Sequence, residues 1–135
     1  MDQRTLIVSC VEYYSHLKSI PSNKVFVSFE QADFIKMILD TQKMVPEMGP
    51  DFYIGMIDGL TYLESDAAGE EYIHYEERTA LTTEVVAMLQ KKHKMNDLEA
   101  CHMYYHSKTA EIVSEEKTGW YKKSPKEIYD LIEAE

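Results

Sequence analysis

Ser124-Pro125-Lys126-Glu127-Ile128-Tyr129-Asp130-Leu131-Ile132-Glu133 opens with the local signals of a helix start. Ser124 and Glu127 match the S-x-x-E capping box, in which each side chain satisfies the other residue's free backbone N–H. Pro125 suits the first helical position, where the N–H it lacks would have no partner. An earlier stretch, Gly49-Pro50-Asp51-Phe52-Tyr53-Ile54-Gly55-Met56-Ile57-Asp58, reads as a worn copy. The two prolines stand 75 residues apart, and the same offset, without a gap, pairs Leu6 with Leu81, Cys10 with Val85, Val11 with Val86, Tyr14 with Leu89, Phe29 with Tyr104 and Ile57 with Ile132. Phe34 against Thr109 and Leu39 against Ser114 fall outside the pattern.

The doubling predicts an all-α protein made of two tandem pseudo-repeated small helical units packed as one compact body. Unit 1 spans 1–63, an acidic linker 64–79, and unit 2 spans 80–135. A unit of roughly 65 residues is near the lower limit for a self-sufficient core, so the copies are expected to pack on each other about an approximate two-fold axis.

Within unit 1, Leu6, Ile7, Cys10, Val11, Tyr14 and Leu17 recur at steps of three and four, one face of an amphipathic helix over residues 5–18. Pro21 ends it, and Ser22 or Asn23 caps a second helix from Lys24 through Phe29. Val25 to Phe29 has strand propensity too, but its place in the repeat favours helix. Phe34 to Leu39 make a third, closed by Asp40 to Lys43, and Met44 to Pro50 form a packed loop because two prolines and a glycine exclude continuous helix. A fourth runs from Pro50 through Leu60. In unit 2 the pattern restarts near Thr82, ends at Lys91-Lys92-His93-Lys94, and resumes after an Asn96-Asp97 cap. Glu115 to Gly119 reads as a turn and Trp120-Tyr121 as an aromatic plug before the last helix.

A net charge of −10 with a pI near 4.9 excludes a broad phosphate-binding surface, leaving proteins, basic ones included, as partners. Two cysteines, Cys10 and Cys101, lack metal-ligand spacing and suit a reducing compartment. The N-terminal apolar run is too short for a signal peptide and no segment has the length of a membrane span, so a cytoplasmic location is expected.

Asn23-Lys24-Val25-Phe26 through Phe29, Phe34 to Ile38, and Met48-Gly49 before Tyr53-Ile54-x-x-Ile57-Asp58 resemble a family of small bacterial proteins of unassigned function. Asp97 to Ala100, Tyr104 to Thr109, Thr118 to Tyr121 and Ser124 to Tyr129 are similar to a related group. Val45-Pro46-Glu47 departs from the pattern, which has a His close before Met48-Gly49. The resemblance implies a helical accessory protein, encoded in some genomes beside larger proteins, and brings no active site with it.

No catalytic signature emerges. His102 and His106 stand four apart on a helix with Glu99 and Cys101 near, but two ligands do not make a metal site, and the first unit has Val27 and Gln31 at the matching positions. His74-Tyr75-Glu76-Glu77 reads as solvated linker, and adjacent Cys101 and His102 point apart on a helix. The five glycines are scattered, so no phosphate loop exists. Lys122, Lys123 and Lys126 beside Trp120 and Tyr121 form the one basic and aromatic cluster. Its reading is cover for the rings or contact with acidic neighbours, with a nucleic-acid contact as the alternative. Ten tyrosines and eight methionines favour contact surfaces. The expectation is a non-enzymatic protein-interaction module without cofactor or metal, meeting a protein partner or its own copies through Tyr104, Tyr105, Trp120, Tyr121 and Tyr129.

Overall fold

The computed structural model describes residues 1–58 and 72–135. Among them the chain forms eight α-helices and two single 3₁₀ turns. The helices are α1 (Gln3–Lys18), α2 (Ser22–Gln31), α3 (Phe34–Met44), α4 (Pro50–Asp58), α5 (Tyr75–His93), α6 (Asp97–Tyr105), α7 (Lys108–Ser114) and α8 (Pro125–Glu133). The turns are Glu116–Thr118 and Trp120–Lys122. No strand occurs among the described residues, so Val25 to Phe29 are helical.

Local chemistry sets the helix ends. Asp2 starts α1 by accepting the Thr5 N–H at 2.7 Å. Both long helices stop on a left-handed residue, Ser19 (φ 53°) and Lys94 (φ 53°), whose N–H turns back to Ser15 O and Gln90 O. The predicted caps of unit 2 are present: Asn96 and Glu99 form a capping box on α6, and Ser124 and Glu127 form one on α8. Gly119 supplies the left-handed residue (φ 70°) between the two 3₁₀ turns.

The long helices α1 and α5 pack along each other, with α4 on α1 and α8 on α5. Helices α2 and α6 meet, and both also lie against α1, while α7 fills the space beside α2 and α8. One continuous core results, containing Leu6, Tyr14 and Phe29 from the first half and Leu81, Leu89 and Tyr104 from the second. Phe26 stacks on Tyr105 across the halves with ring centroids 4.7 Å apart. Each aromatic ring so buried stabilises the fold by about 1.5–3 kcal/mol.

Several expectations change. Helix α5 begins at Tyr75, ahead of the expected restart at Thr82, and Arg78 within it is completely buried. Within the expected linker Tyr72 and Arg78 are buried, Arg78 bonding Glu12 and Glu116 through Nε and Nη1, while Ile73, Glu76 and Glu77 stay exposed. The remainder of the expected linker, 64–71, and Leu60 lie outside the described residues. Pro21 rather than Ser22 or Asn23 occupies the N-cap position of α2, and the Ser22 hydroxyl instead donates to Ser114 Oγ at 3.1 Å. The loop after α3 is not packed: Met44 is 82 % exposed and Met48 is also exposed, since the two prolines hold this corner away from the core. Leu17, expected on the buried face of α1, is exposed on its last turn.

Candidate functional site

The aromatic residues expected to form a contact surface divide into two sets. Tyr104 and Tyr105 are 1 % and 2 % exposed, so they are core residues and offer no surface to a partner. Their position on the inner face of α6 turns the hydroxyls inward, where Tyr104 meets Thr82 Oγ1 at 3.0 Å and Tyr105 donates to Glu12 Oε2 at 2.8 Å. Burial lifts both phenols well above their ordinary range. Trp120, Tyr121 and Tyr129 stay half-buried.

The lysines cover those rings. Lys123 Nζ lies 4.9 Å from the Trp120 centroid, Lys126 5.3 Å from Tyr129 and Lys122 5.8 Å from Tyr121. Lys126 also pairs with Asp130 at 2.7 Å and Lys123 with Glu127 at 3.9 Å. Charges spent on rings and carboxylates in this way make a poor phosphate-binding stripe.

A buried ionic cluster had no signal in the sequence. Arg78 Nε donates to Glu12 Oε1 at 3.1 Å and Arg78 Nη1 to Glu116 Oε1 at 2.9 Å. Glu116 also accepts the His74 backbone N–H at 2.9 Å and pairs with His74 Nδ1 at 2.7 Å. The His74 ring stacks on Tyr121 with centroids 4.3 Å apart. Burial raises the Glu12 carboxyl against the pull of Arg78 and of the Tyr105 hydroxyl. Glu116 also feels burial, but hydrogen bonds from His74 and Arg78 outweigh it and hold the carboxyl below its ordinary range. His74, expected in a solvated linker, thus ties the start of α5 to the turn at Glu116. Arg78 and Glu12 are fully buried, whereas Glu116 and His74 at the outer end keep 12 % and 35 % of their side chains exposed.

Two surface features are accessible. The first is a groove of about 760 Å³ along the seam between α1 and α5, reaching the start of α4. Thr5, Ser9 and Tyr13 form one wall and Tyr75, Thr79 and Thr83 the other. The Thr79 and Thr83 hydroxyls donate back to the carbonyls of Tyr75 and Thr79 at 2.7 Å each, which satisfies both hydroxyls within α5. Tyr13, His16 and Tyr75 meet at one end, with His16 and Tyr75 centroids 4.4 Å apart. Asp51, Glu76 and Glu84 rim the groove, and none has a basic partner among the described residues.

The second is a group of three side chains from opposite halves. His102 projects from α6 and His106 is its C-cap residue, their rings stacked at 4.1 Å, and Glu30 reaches them from α2. Glu30 Oε2 lies 2.5 Å from His102 Nδ1 and Oε1 lies 2.6 Å from His106 Nε2. The sequence revealed the histidine pair, but Glu30 is 72 residues from His102 and carried no mark of its role. Glu99 and Cys101 do not join the group: Glu99 caps α6 and Cys101 is buried. Burial pushes the thiols of both Cys101 and Cys10 up to about 12, which removes either as a nucleophile.

Compared with known proteins, the chain matches no family model, no curated protein and no solved structure. No helix among the described residues is long and apolar enough to cross a membrane.

Proposed function

We propose that this chain is a doubled four-helix unit acting as a non-enzymatic cytoplasmic module that binds a basic amphipathic helix of a protein partner in the groove between α1 and α5. The groove carries the reading: Tyr13, Pro50, Tyr75 and Ala80 give it apolar surface, Asp51, Glu76 and Glu84 rim it, and the chain has a net charge of −10. A helix with an apolar stripe and flanking lysines complements both properties. Exposed Met44, Met48 and Phe52, at the corner next to Pro50 and Asp51, extend the apolar contact with adaptable side chains. The accessory role implied by the resemblance to small bacterial proteins agrees with such a module.

The doubling is supported by the element bounds. At the offset of 75, Pro50–Asp58 falls on Pro125–Glu133, Lys18 falls on His93, and the left-handed residues Ser19 and Lys94 coincide. The packing of α4 on α1 repeats as α8 on α5. Departures have local causes. Ser114, opposite Leu39 in the repeat, accepts hydrogen bonds from Ser22 and the Asn23 N–H, and Thr109, opposite Phe34, bonds Glu135 at 2.6 Å.

The test is fluorescence anisotropy of the full chain with two labelled amphipathic peptides of equal length and apolar face, one flanked by lysines and one by glutamates. Saturable binding of the lysine peptide alone, weakened by salt and abolished by Ala80→Trp, is the expected result. Equal binding of both peptides, or binding indifferent to Ala80→Trp, defeats the proposal. If the chain itself dimerises and Ala80→Trp restores the monomer, the groove's occupant is a second copy.

A further inference from the structure

His102 Nδ1, His106 Nε2 and the Glu30 carboxylate are three ligand atoms that all lie within 4.8 Å of one another. Two nitrogens and an oxygen of this kind are the donor set that borderline divalent metals favour, with metal–ligand distances of about 2.0–2.2 Å. Around one tetrahedral ion such atoms sit roughly 3.3–3.5 Å apart. The present separations of 2.5 and 2.6 Å between carboxylate and imidazoles require an opening of about an ångström. Exposed side chains make that adjustment by rotation, and the histidine side chains are 57 % and 40 % exposed. The backbone need not move: the four-residue spacing from α6 to its C-cap already stacks the rings and brings both nitrogens to Glu30.

We propose that Glu30, His102 and His106 bind a divalent transition-metal ion of zinc type, clamping α2 of the first half to α6 of the second. The ion takes the ring nitrogens that now face Glu30, with each neutral imidazole carrying its one proton on the other ring nitrogen, so proton and metal compete for the same atoms and affinity falls as pH drops. Positions not filled by the three side chains go to water or to a ligand in the adjoining groove of about 520 Å³, which Glu30 and His102 line together with Ile35, Met95, Leu98 and Met103. This site is independent of the groove between α1 and α5.

The contrast with His93 is informative. His93 Nε2 pairs with Glu133 at 2.6 Å as a lone surface pair, with no second imidazole. It provides an internal control for ordinary imidazole–carboxylate chemistry.

The experiment is isothermal titration of chelator-treated full-length protein with Zn²⁺ alone, repeated with Co²⁺ while its visible absorption is recorded. The expected result is one site per chain with a dissociation constant below about 100 μM, a Co²⁺ spectrum of four- or five-coordinate intensity, and a Tm raised by about 10 °C at a hundredfold excess over that constant. Glu30→Gln, His102→Ala and His106→Ala should each weaken binding at least about tenfold, and His93→Ala should not. All three ligands are surface side chains, so helicity by circular dichroism should stay at the parent value. Weaker binding than about 100 μM, a Co²⁺ spectrum of the hexaaqua ion, or equal affinity in the ligand variants and in His93→Ala overturns the site.

Discussion

Arg78 and Glu12 face each other at 3.1 Å with side chains 0 % and 1 % exposed, 66 residues apart in the chain. They join the two long helices α1 and α5 at their seam, and the arginine's second arm reaches Glu116. A guanidinium held by two carboxylates completes the cluster, whereas removal of the cation leaves Glu12 in the core without a counter-charge.

Arg78→Ala is therefore expected to destabilise the protein by about 3–5 kcal/mol, measured by urea unfolding. Arg78→Lys should recover less than half of that, because an ammonium cannot donate along two directions to Glu12 and Glu116 as the planar fork does. A loss below about 1 kcal/mol for the alanine variant, the scale of an exposed pair, would show that the cluster is open to solvent.

Stability should fall on acidification through Glu116. Its folded carboxyl is held below the ordinary value of 4.5, so its contribution is complete above that value and is lost as pH falls through the folded value. Glu30 and Glu135 are shifted the same way and act in the same window. Glu116→Gln should flatten the dependence of Tm on pH below about 4.5 relative to the parent chain. An unchanged slope would remove Glu116 from the account.

Neither cysteine should react with a thiol reagent in the native protein at pH 7.5. Both are buried, with thiols pushed up to about 12, so thiolate is scarce and access is blocked. Labelling of two thiols per chain should appear only in denaturant. Rapid stoichiometric labelling in native buffer would mean that α1 or α6 opens readily.

The halves should unfold together. Phe26 stacks on Tyr105, Ser22 bonds Ser114, and Tyr105 donates to Glu12, each across the two halves. Trp120 reports only on the second half, whereas far-ultraviolet circular dichroism reports on every helix. The two urea transitions should coincide within error. A separate early transition by either probe would mean that the halves have independent cores.

Ser124→Ala and Asn96→Ala should each cost about 1 kcal/mol, since each removes the acceptor of a complete capping box. Ser22→Ala is the comparison: its hydroxyl is not a cap on its own helix, but its bond to Ser114 is buried. A smaller loss at Ser124 than at half-buried Ser107, which caps α7 without a reciprocal partner, would contradict this assignment.

Much of the fold was legible because its determinants are local. Ser124-Pro125-x-Glu127 specifies a helix start by the geometry of one turn, and apolar steps of three and four mark a buried face wherever the partner face lies. The same local signals failed where a distant residue intervened. Tyr75 to Arg78 looked like solvated linker because nothing nearby reveals that Glu12 and Glu116 await the arginine, and Tyr104 and Tyr105 looked like a contact surface because a tyrosine's sequence does not say which way its hydroxyl is answered.

The sequence by itself determined the helical class, the positions of the caps in the second half and the four-residue spacing of His102 and His106, all of which depend on interactions within a few residues. Only the tertiary structure decided that Glu30 stands between those imidazoles, that Arg78 is sealed between two carboxylates, and that α1 and α5 leave an acid-rimmed groove. Each of these arises where helices distant in the chain pack together, and packing is settled by the shape and burial of whole faces rather than by any short stretch.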